Sequence, residues 1–210
     1  MVALRSDTQH DRPTVFVVDD DSGVRESLQT LVRSVGLAAE TFASANEFLE
    51  NFDPTRSGCL ILDVRLGDSS GLDLQEDLTR RGSLLPVIMI SGYGTIPSTV
   101  RAMRGGAIDF LQKPFSPRLL QDRINEAIEL DRANRASEKR RAKIEAQLAE
   151  LTPREREVLE QLKMGKTSRE IAEALELSPR TVEGHRQVVL NKMGVHSTTQ
   201  LVRMLLSAGQ

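Results

Sequence analysis

The stretch Thr14-Val-Phe-Val-Val-Asp-Asp-Asp21 sets five β-branched or apolar residues directly against three carboxylates. An uninterrupted apolar run of this length suits a strand covered by helices on both faces, and Asp is a turn former that ends it. Four more strand candidates follow at a regular beat, at Ala38–Thr41, Cys59–Leu62, Pro86–Ile90 and Asp109–Leu111, of which Cys59–Leu62 and Pro86–Ile90 are again near-continuously apolar. Between them the apolar period changes to that of helices, at Ser22–Val35, Ala45–Glu50, Gly71–Arg80, Pro97–Arg104 and from Pro117 onward. Ser44-Ala-Asn-Glu47 reads as a capping box for the second helix, and Ser116-Pro117 as an N-cap followed by proline at the first helical position. Strands alternating with helices predict an α/β domain, a doubly wound five-stranded parallel sheet.

In such a sheet the carboxyl ends of the strands share one edge, where these folds place their sites. The first strand ends in Asp19, Asp20 and Asp21, the third in Asp63, the fourth in Ser91, and the fifth leads into Lys113-Pro114. Taken alone, Asp63 reads as an ordinary turn residue, and Asp21 as a turn residue or N-cap. Together the acids form a cluster that needs a cation at neutral pH, and oxygen-only ligands favour Mg2+. With the Ser91 hydroxyl and the Lys113 ammonium, the set suits a carboxylate nucleophile that forms an aspartyl-phosphate.

Beyond Pro117 the helical pattern continues toward Leu151 without Gly or Pro, rich in Arg, Lys, Glu and Ala, which predicts a helical connector. Three start signals follow, Thr152-Pro153-Arg154-Glu155, Thr167-Ser168-Arg169-Glu170 and Ser178-Pro179-Arg180-Thr181. They predict helices at 153–163, 168–175 and 179–193, with a fourth over Ser197–Ser207 and Gly165 and Gly194 at helix ends. Three compact helices and a fourth make a helix-turn-helix candidate. The expected organisation is a tail (1–13), an α/β domain (14–130), a helical linker (131–150) and a small all-α domain (151–210).

Charge is divided unevenly within a chain whose net value is −2. Residues 1–122 hold 12 Lys/Arg against 17 Asp/Glu, and residues 123–210 hold 16 against 13. Residues 145–210 carry nine of each sign, so the positive excess lies in 123–143, with Arg132, Arg135, Lys139, Arg140, Arg141 and Lys143. A nucleic-acid surface further on is therefore expected as a local face of a neutral domain. Of 210 residues, 39% are apolar and 28% charged, which fits a soluble globular protein of one or two domains. A single Cys59 excludes a disulfide framework and a multi-cysteine zinc site. No apolar run suffices to span a bilayer and the first ten residues are polar, so the expectation is a cytoplasmic protein without a membrane partner.

The runs Val15-Phe-Val-Val-Asp-Asp-Asp21, Leu60-Ile-Leu-Asp63, Ile88-Met-Ile-Ser91-Gly92 and Phe110-Leu-Gln-Lys113-Pro114-Phe115 resemble the receiver domain of two-component response regulators. Leu151-Thr-Pro-Arg-Glu-Arg-Glu-Val-Leu159, Gly165-Lys-Thr-Ser-Arg-Glu-Ile-Ala172 and Leu177-Ser-Pro-Arg-Thr-Val-Glu-Gly-His185 resemble the LuxR-type DNA-binding domain. The whole chain resembles the NarL/FixJ family, nearest its FixJ-type branch. The resemblance implies a transcriptional regulator that takes a phosphoryl group from a sensor histidine kinase on Asp63 and acts as an enzyme only on that residue. It implies that Asp19, Asp20, Asp63 and the backbone carbonyl of Arg65 hold Mg2+, that Ser91 and Phe110 are the switch pair, and that Lys113 binds phosphate before a cis Pro114. It also implies a homodimer formed on phosphorylation through the segments Pro97–Arg104 and Pro117–Ile128, placed on a two-fold symmetric promoter site. One departure follows Asp63, where a Met-Pro-Gly-like turn is usual and this chain has Leu66-Gly67-Asp68. Gly67 is expected to loosen the loop, and Asp68 to add a carboxylate near the site.

Within the tail, Val182, Val189, Leu190 and Met193 have the spacing of a core-facing stripe, which leaves Glu183, Gly184, Arg186, Gln187 and Lys192 facing outward. This makes 179–193 the recognition helix, with Glu183, Gly184, Arg186 and Gln187 as candidate base contacts. Lys166, Thr167, Ser168, Arg180 and Lys192 are candidate phosphate contacts. His185 has no second His or Cys at ligand spacing and is expected to be structural. Two other readings compete: a tail that docks only protein, and a phosphatase or phosphotransferase acting on a separate substrate.

Overall fold

The computed structural model describes residues 12–207 and divides into two compact units, one ending at Arg135 and the other beginning at Ala136. In the first, β1 (Thr14–Val18), β2 (Ala38–Phe42), β3 (Gly58–Asp63), β6 (Val87–Ser91) and β7 (Asp109–Gln112) form one parallel sheet in the order β2-β1-β3-β6-β7. The chain crosses between strands through α1 (Ser22–Ser34), α2 (Ala45–Asn51), α3 (Gly71–Arg80) and α4 (Ile96–Arg104), and leaves through α5 (Pro117–Ala149). Strand alternation divides the core into two layers. Val15, Val17, Ile61 and Ile88 pack with Leu28 and Val32 of α1 and Leu120 and Ile124 of α5. Phe16, Val18, Leu60 and Met89 face the other way, toward Phe48 of α2, Leu72 and Leu78 of α3, and Ala102 of α4.

Two local differences from the sequence reading have clear causes. The second helix is capped by the Ser44 hydroxyl, which accepts from Glu47 N at 3.1 Å, but the Glu47 carboxylate reaches one residue further back, to Ala43 N at 2.6 Å. Between β3 and α3 lies a small antiparallel hairpin, β4 (Arg65–Leu66) with β5 (Ser69–Ser70), turned by Gly67 at a φ of 61°. A two-residue ladder is too short to leave a period in the sequence.

The expected linker boundary at residue 131 falls inside an unbroken helix whose fourth turn belongs to the first unit. Asp131, fully buried, accepts from Ser57 Oγ at 2.6 Å, Gly58 N at 3.0 Å and Arg135 Nε at 2.8 Å. Arg135 then donates to the carbonyls of Pro54 and Thr55 at 3.1 Å and to that of Arg56. The same buried carboxylate adds to the effect of burial in pushing the Cys59 thiol up to about 12.

The second unit contains the C-terminal turns of α5, then α6 (Pro153–Lys163), α7 (Ser168–Leu175), α8 (Pro179–Lys192) and α9 (Thr198–Ser207). Its core joins Ile144 of α5 to Val158 and Leu162, Ile171, Val182, Val189 and Leu190, Met193, Leu201 and Leu205. Thr152 and Thr167 form the expected capping boxes with Glu155 and Glu170. Glu155 does more than cap. Its carboxylate accepts from Lys192 Nζ at 2.7 Å as well as Thr152 N at 2.9 Å, and Lys192 also donates to the Glu150 carbonyl at 3.1 Å. The start of α6 is thereby tied to the end of α8.

Two outcomes are expected. Replacing Asp131 by Ala strips Ser57, Gly58 and Arg135 of their shared acceptor and lowers unfolding stability by about 3 kcal/mol, measured by urea denaturation. Hydrogen bonds from Lys192 and the Thr152 amide hold Glu155 below its ordinary 4.5, so its contribution is present above that value and lost as pH falls through the folded value. Calorimetry of the second unit's transition below pH 4.5 should therefore show a shallower acid loss in Glu155→Gln than in the parent chain.

Candidate functional site

The strand order reverses between β1 and β3, so the carboxyl ends of these two neighbours open onto one crevice. Asp19 follows the last residue of β1 and Asp63 is the last of β3; both are buried. Lys113, just past β7, places its Nζ 2.6 Å from Asp19 Oδ2 and 2.5 Å from Asp63 Oδ2. Burial pushes the Asp19 carboxyl up, against the hydrogen bonds from Lys113 and Asp21 N. Burial pulls Lys113 the other way from its two carboxylate bonds, and the bonds prevail, raising its pKa and keeping it charged.

The remaining acids and the switch residues stand around this bridge. The Asp20 carboxylate accepts from Gly67 N at 3.1 Å, so the tip of the β4–β5 hairpin leans on the acidic corner. Asp21 caps α1, accepting from Gly23 N and Val24 N. Asp63 Oδ1 accepts from Arg65 N at 3.0 Å. Gly71 allows the chain to pass close behind Asp63, since a Cβ there would lie 1.9 Å from the Asp63 carbonyl oxygen. Ser91 is buried at the end of β6, one residue beyond the Ile90 partner of Asp63, and its hydroxyl accepts from Tyr93 N at 3.2 Å. Phe110 is half-buried, its ring edge against Gly94, where a Cβ would sit 2.9 Å from Cε1. The Lys113–Pro114 bond is cis. Asp68 is exposed at the hairpin turn.

Two arginine side chains at this edge were not singled out from the sequence, which named only the backbone carbonyl of Arg65. Arg25 donates from Nη1 to the Asp19 carbonyl at 2.7 Å, and Arg65 lies 5.2 Å over the Tyr93 ring. Neither leaves a local sequence signal, because the first partner is a backbone atom and the second lies in the loop after β6, far along the chain.

The candidate ligands at this edge, three carboxylates and a backbone carbonyl, are all oxygens, which suits Mg2+. Among the described residues no group of three or more His, Cys, Asp or Glu side chains stands as one that could hold a metal ion by itself. Mg2+ needs none, since it binds through one or two carboxylates and keeps several waters. Asp19, Asp20, Asp63 and the Arg65 carbonyl therefore fit it chemically.

In the second unit, α7 and α8 form a helix pair joined through Glu176, whose φ of 54° closes the turn. Glu183, Gly184 and Gln187 are exposed along α8, while Val182, Val189 and Leu190 are buried. Glu183 accepts from Ser168 Oγ on α7 and lies 3.6 Å from Arg186. Gln187 donates to Asn191 Oδ1 at 3.0 Å. Lys166 donates to Gln161 Oε1 at 2.6 Å, Thr167 caps α7, Arg180 is exposed, and the Lys192 ammonium is engaged by Glu155 and Glu150. His185 is half-buried. Among the described residues no helix is long and apolar enough to cross a membrane.

Two family models match the chain, that of the response regulator receiver domain over residues 15–125 and that of the luxR family of bacterial regulatory proteins over residues 149–205. Nodulation protein W of Bradyrhizobium diazoefficiens is 43% identical over 93% of this chain and 86% of its own length. The transcriptional regulatory protein TdiR of Thauera aromatica is 42% identical over 92% and 85%, and FixJ of Azorhizobium caulinodans 42% over 93% and 92%. Among solved structures, response regulator StyR superposes with a TM-score of 0.84 at 42% identity, covering 93% of this chain and 98% of that one. Full-length FixJ from B. japonicum gives 0.57 at 36%, covering 94% and 97%. With its parallel-sheet unit matching the receiver model and its helical unit the luxR model, the chain belongs to the DNA-binding transcriptional response regulators of the FixJ type.

Proposed function

We propose that Asp63 is the phospho-acceptor, and that its phosphorylation by a sensor histidine kinase drives pairing of the chain on promoter DNA. The observation that carries this reading is the Lys113 ammonium shared between Asp19 and Asp63 at the strand ends. In the transfer, a side-chain oxygen of Asp63 attacks the phosphorus of a phosphohistidine, the P–N bond breaks, and the departing imidazole nitrogen takes up a proton. Lys113 is positioned to neutralise a transferred phosphoryl oxygen, and Ser91 to donate its hydroxyl to another. Mg2+, held by Asp19, Asp20, Asp63 and the Arg65 carbonyl, would offset the remaining negative charge when bound. Asp63 is the only group the chain acts on in this scheme, in phosphorylation and in hydrolysis.

The switch then runs through Ser91 and Phe110, which end β6 and lie on β7, the strands that lead to α4 and α5. Movement of that pair re-forms the face made by Pro97–Arg104 and Pro117–Ile128, on which two chains pair. A two-fold dimer carries two recognition helices about 34 Å apart, one turn of DNA, and so matches a two-fold symmetric promoter site in the cytoplasm. On each helix Glu183, Gly184, Arg186 and Gln187 meet base edges, Glu183 accepting from cytosine and Gln187 pairing with adenine. Lys166, Thr167 and Ser168 at the start of α7 and Arg180 on α8 supply phosphate contacts, while Lys192, the fifth candidate, is engaged by Glu155 and the Glu150 carbonyl.

Asp63→Asn keeps the fold and loses dimerisation driven by Mg2+ and a small phosphodonor, measured by sedimentation. Dimerisation that still rises with the donor in this variant would overturn the acceptor assignment. Glu183→Ala is expected to relax base preference at one position of each half-site, a change of about 1–3 kcal/mol in discrimination, measured by duplex selection from a random pool.

A further inference from the structure

The positive excess of the chain lies on α5, and the fold leaves part of it without an internal task. Arg132 pairs with Glu129, Arg135 is consumed by Asp131 and three carbonyls, and Arg141 pairs with Glu145. Lys139, Arg140 and Lys143 are exposed, and among the described residues they have no hydrogen-bond or ion-pair partner. They lie in the turns of α5 just before those that enter the second unit's core at Ile144.

Their position relative to the recognition helix follows from one contact. Gln147 Nε2 donates to the Lys192 carbonyl at 3.3 Å, and its side chain also touches the Gly194 position, so this face of α5 abuts the C-terminal end of α8. Lys143, Arg140 and Lys139 precede Gln147 by four, seven and eight residues, the spacing that stacks side chains on one helix face. They stand about 6, 10 and 12 Å along the axis from that contact, at 1.5 Å per residue. Glu138 turns to the opposite side of the helix, and Glu145 is held by Arg141.

A helix of 14 residues is about 21 Å long, whereas the major groove is about 12 Å wide. With its N-terminal turns at the base edges, α8 must therefore leave the groove past a phosphate wall at its C-terminal end. The cation native to that end, Lys192, is spent on Glu155 and the Glu150 carbonyl. The free cations next in line are on α5.

We propose that Lys139, Arg140 and Lys143 form a second DNA contact, a basic face of the linker helix that binds the phosphodiester backbone flanking the base-read site. The occupant follows from charge complementarity and from continuity with the end of the recognition helix. The proposal rests on the placement of α8 in the groove.

The test is a salt titration of duplex binding by the full chain, with Mg2+ and a small phosphodonor present, followed by fluorescence anisotropy on a labelled duplex of mixed sequence. Each phosphate contact contributes about 0.9 to the slope of log K against log salt between about 50 and 200 mM. The triple variant Lys139→Gln, Arg140→Gln, Lys143→Gln should lose about two to three from that slope and bind at least about tenfold more weakly at the low-salt end. Lys139→Arg with Lys143→Arg should keep both, and Glu138→Gln should not weaken binding. An unchanged slope in the triple variant overturns the proposal. This holds whether affinity is also unchanged, as a face serving an acidic protein would leave it, or reduced, as a frayed helix would make it. If the parent chain binds no duplex, the placement of α8 fails and this inference fails with it.

Discussion

The first unit depends on one ammonium group. Two buried carboxylates facing one crevice repel each other, and burial pushes the Asp19 carboxyl toward its protonated form. Lys113 settles that conflict by bonding to both, and it reaches them only because β1, β3 and β7 all run the same way and end on the same side. The sheet order, the layers of Val, Ile and Leu that hold it, and the close passage of Gly71 behind Asp63 all serve that convergence. A cluster assembled this way is stable yet responsive, since any new charge placed on Asp63 must be shared with the same cation.

Much of this was legible in the sequence. The five strands, the acids at their ends and the Thr152 and Thr167 capping boxes are encoded by short-range patterns, and short-range patterns survive translation into structure. What escaped has a common character. The Asp131–Arg135 cluster joins residues more than 70 positions apart, Arg25 binds a backbone carbonyl, and Lys192 finds Glu155 across the helical unit. No periodicity announces a charged side chain's distant partner. The β4–β5 hairpin escaped for another reason: Gly67, read as a source of looseness, turns a short ladder whose amide is bonded to Asp20.

The helical unit shows why a DNA-binding domain need not be basic. Its nine acids and nine bases beyond residue 144 are distributed by task. Glu155, Glu170 and Glu145 act inside the domain or along its helices, as caps or ion-pair partners. Glu183 is the acid set on the exposed face of α8, where its carboxylate accepts from Ser168 and lies 3.6 Å from Arg186. A restrained carboxylate loses less freedom on forming a specific contact than a mobile one would.

The root of α5 on the loop before β3 also sets where the receiver can be cut. A fragment ending at residue 130, where composition alone would place the boundary, discards Asp131 and Arg135 together. It would leave the Ser57 hydroxyl, the Gly58 amide and three successive carbonyls without the partners they have in the whole chain. That gap would open at the entry of the strand whose other end carries Asp63. Any isolated receiver, or any chimera that grafts another output module onto this one, must keep the helix through Arg135 to retain a complete β3.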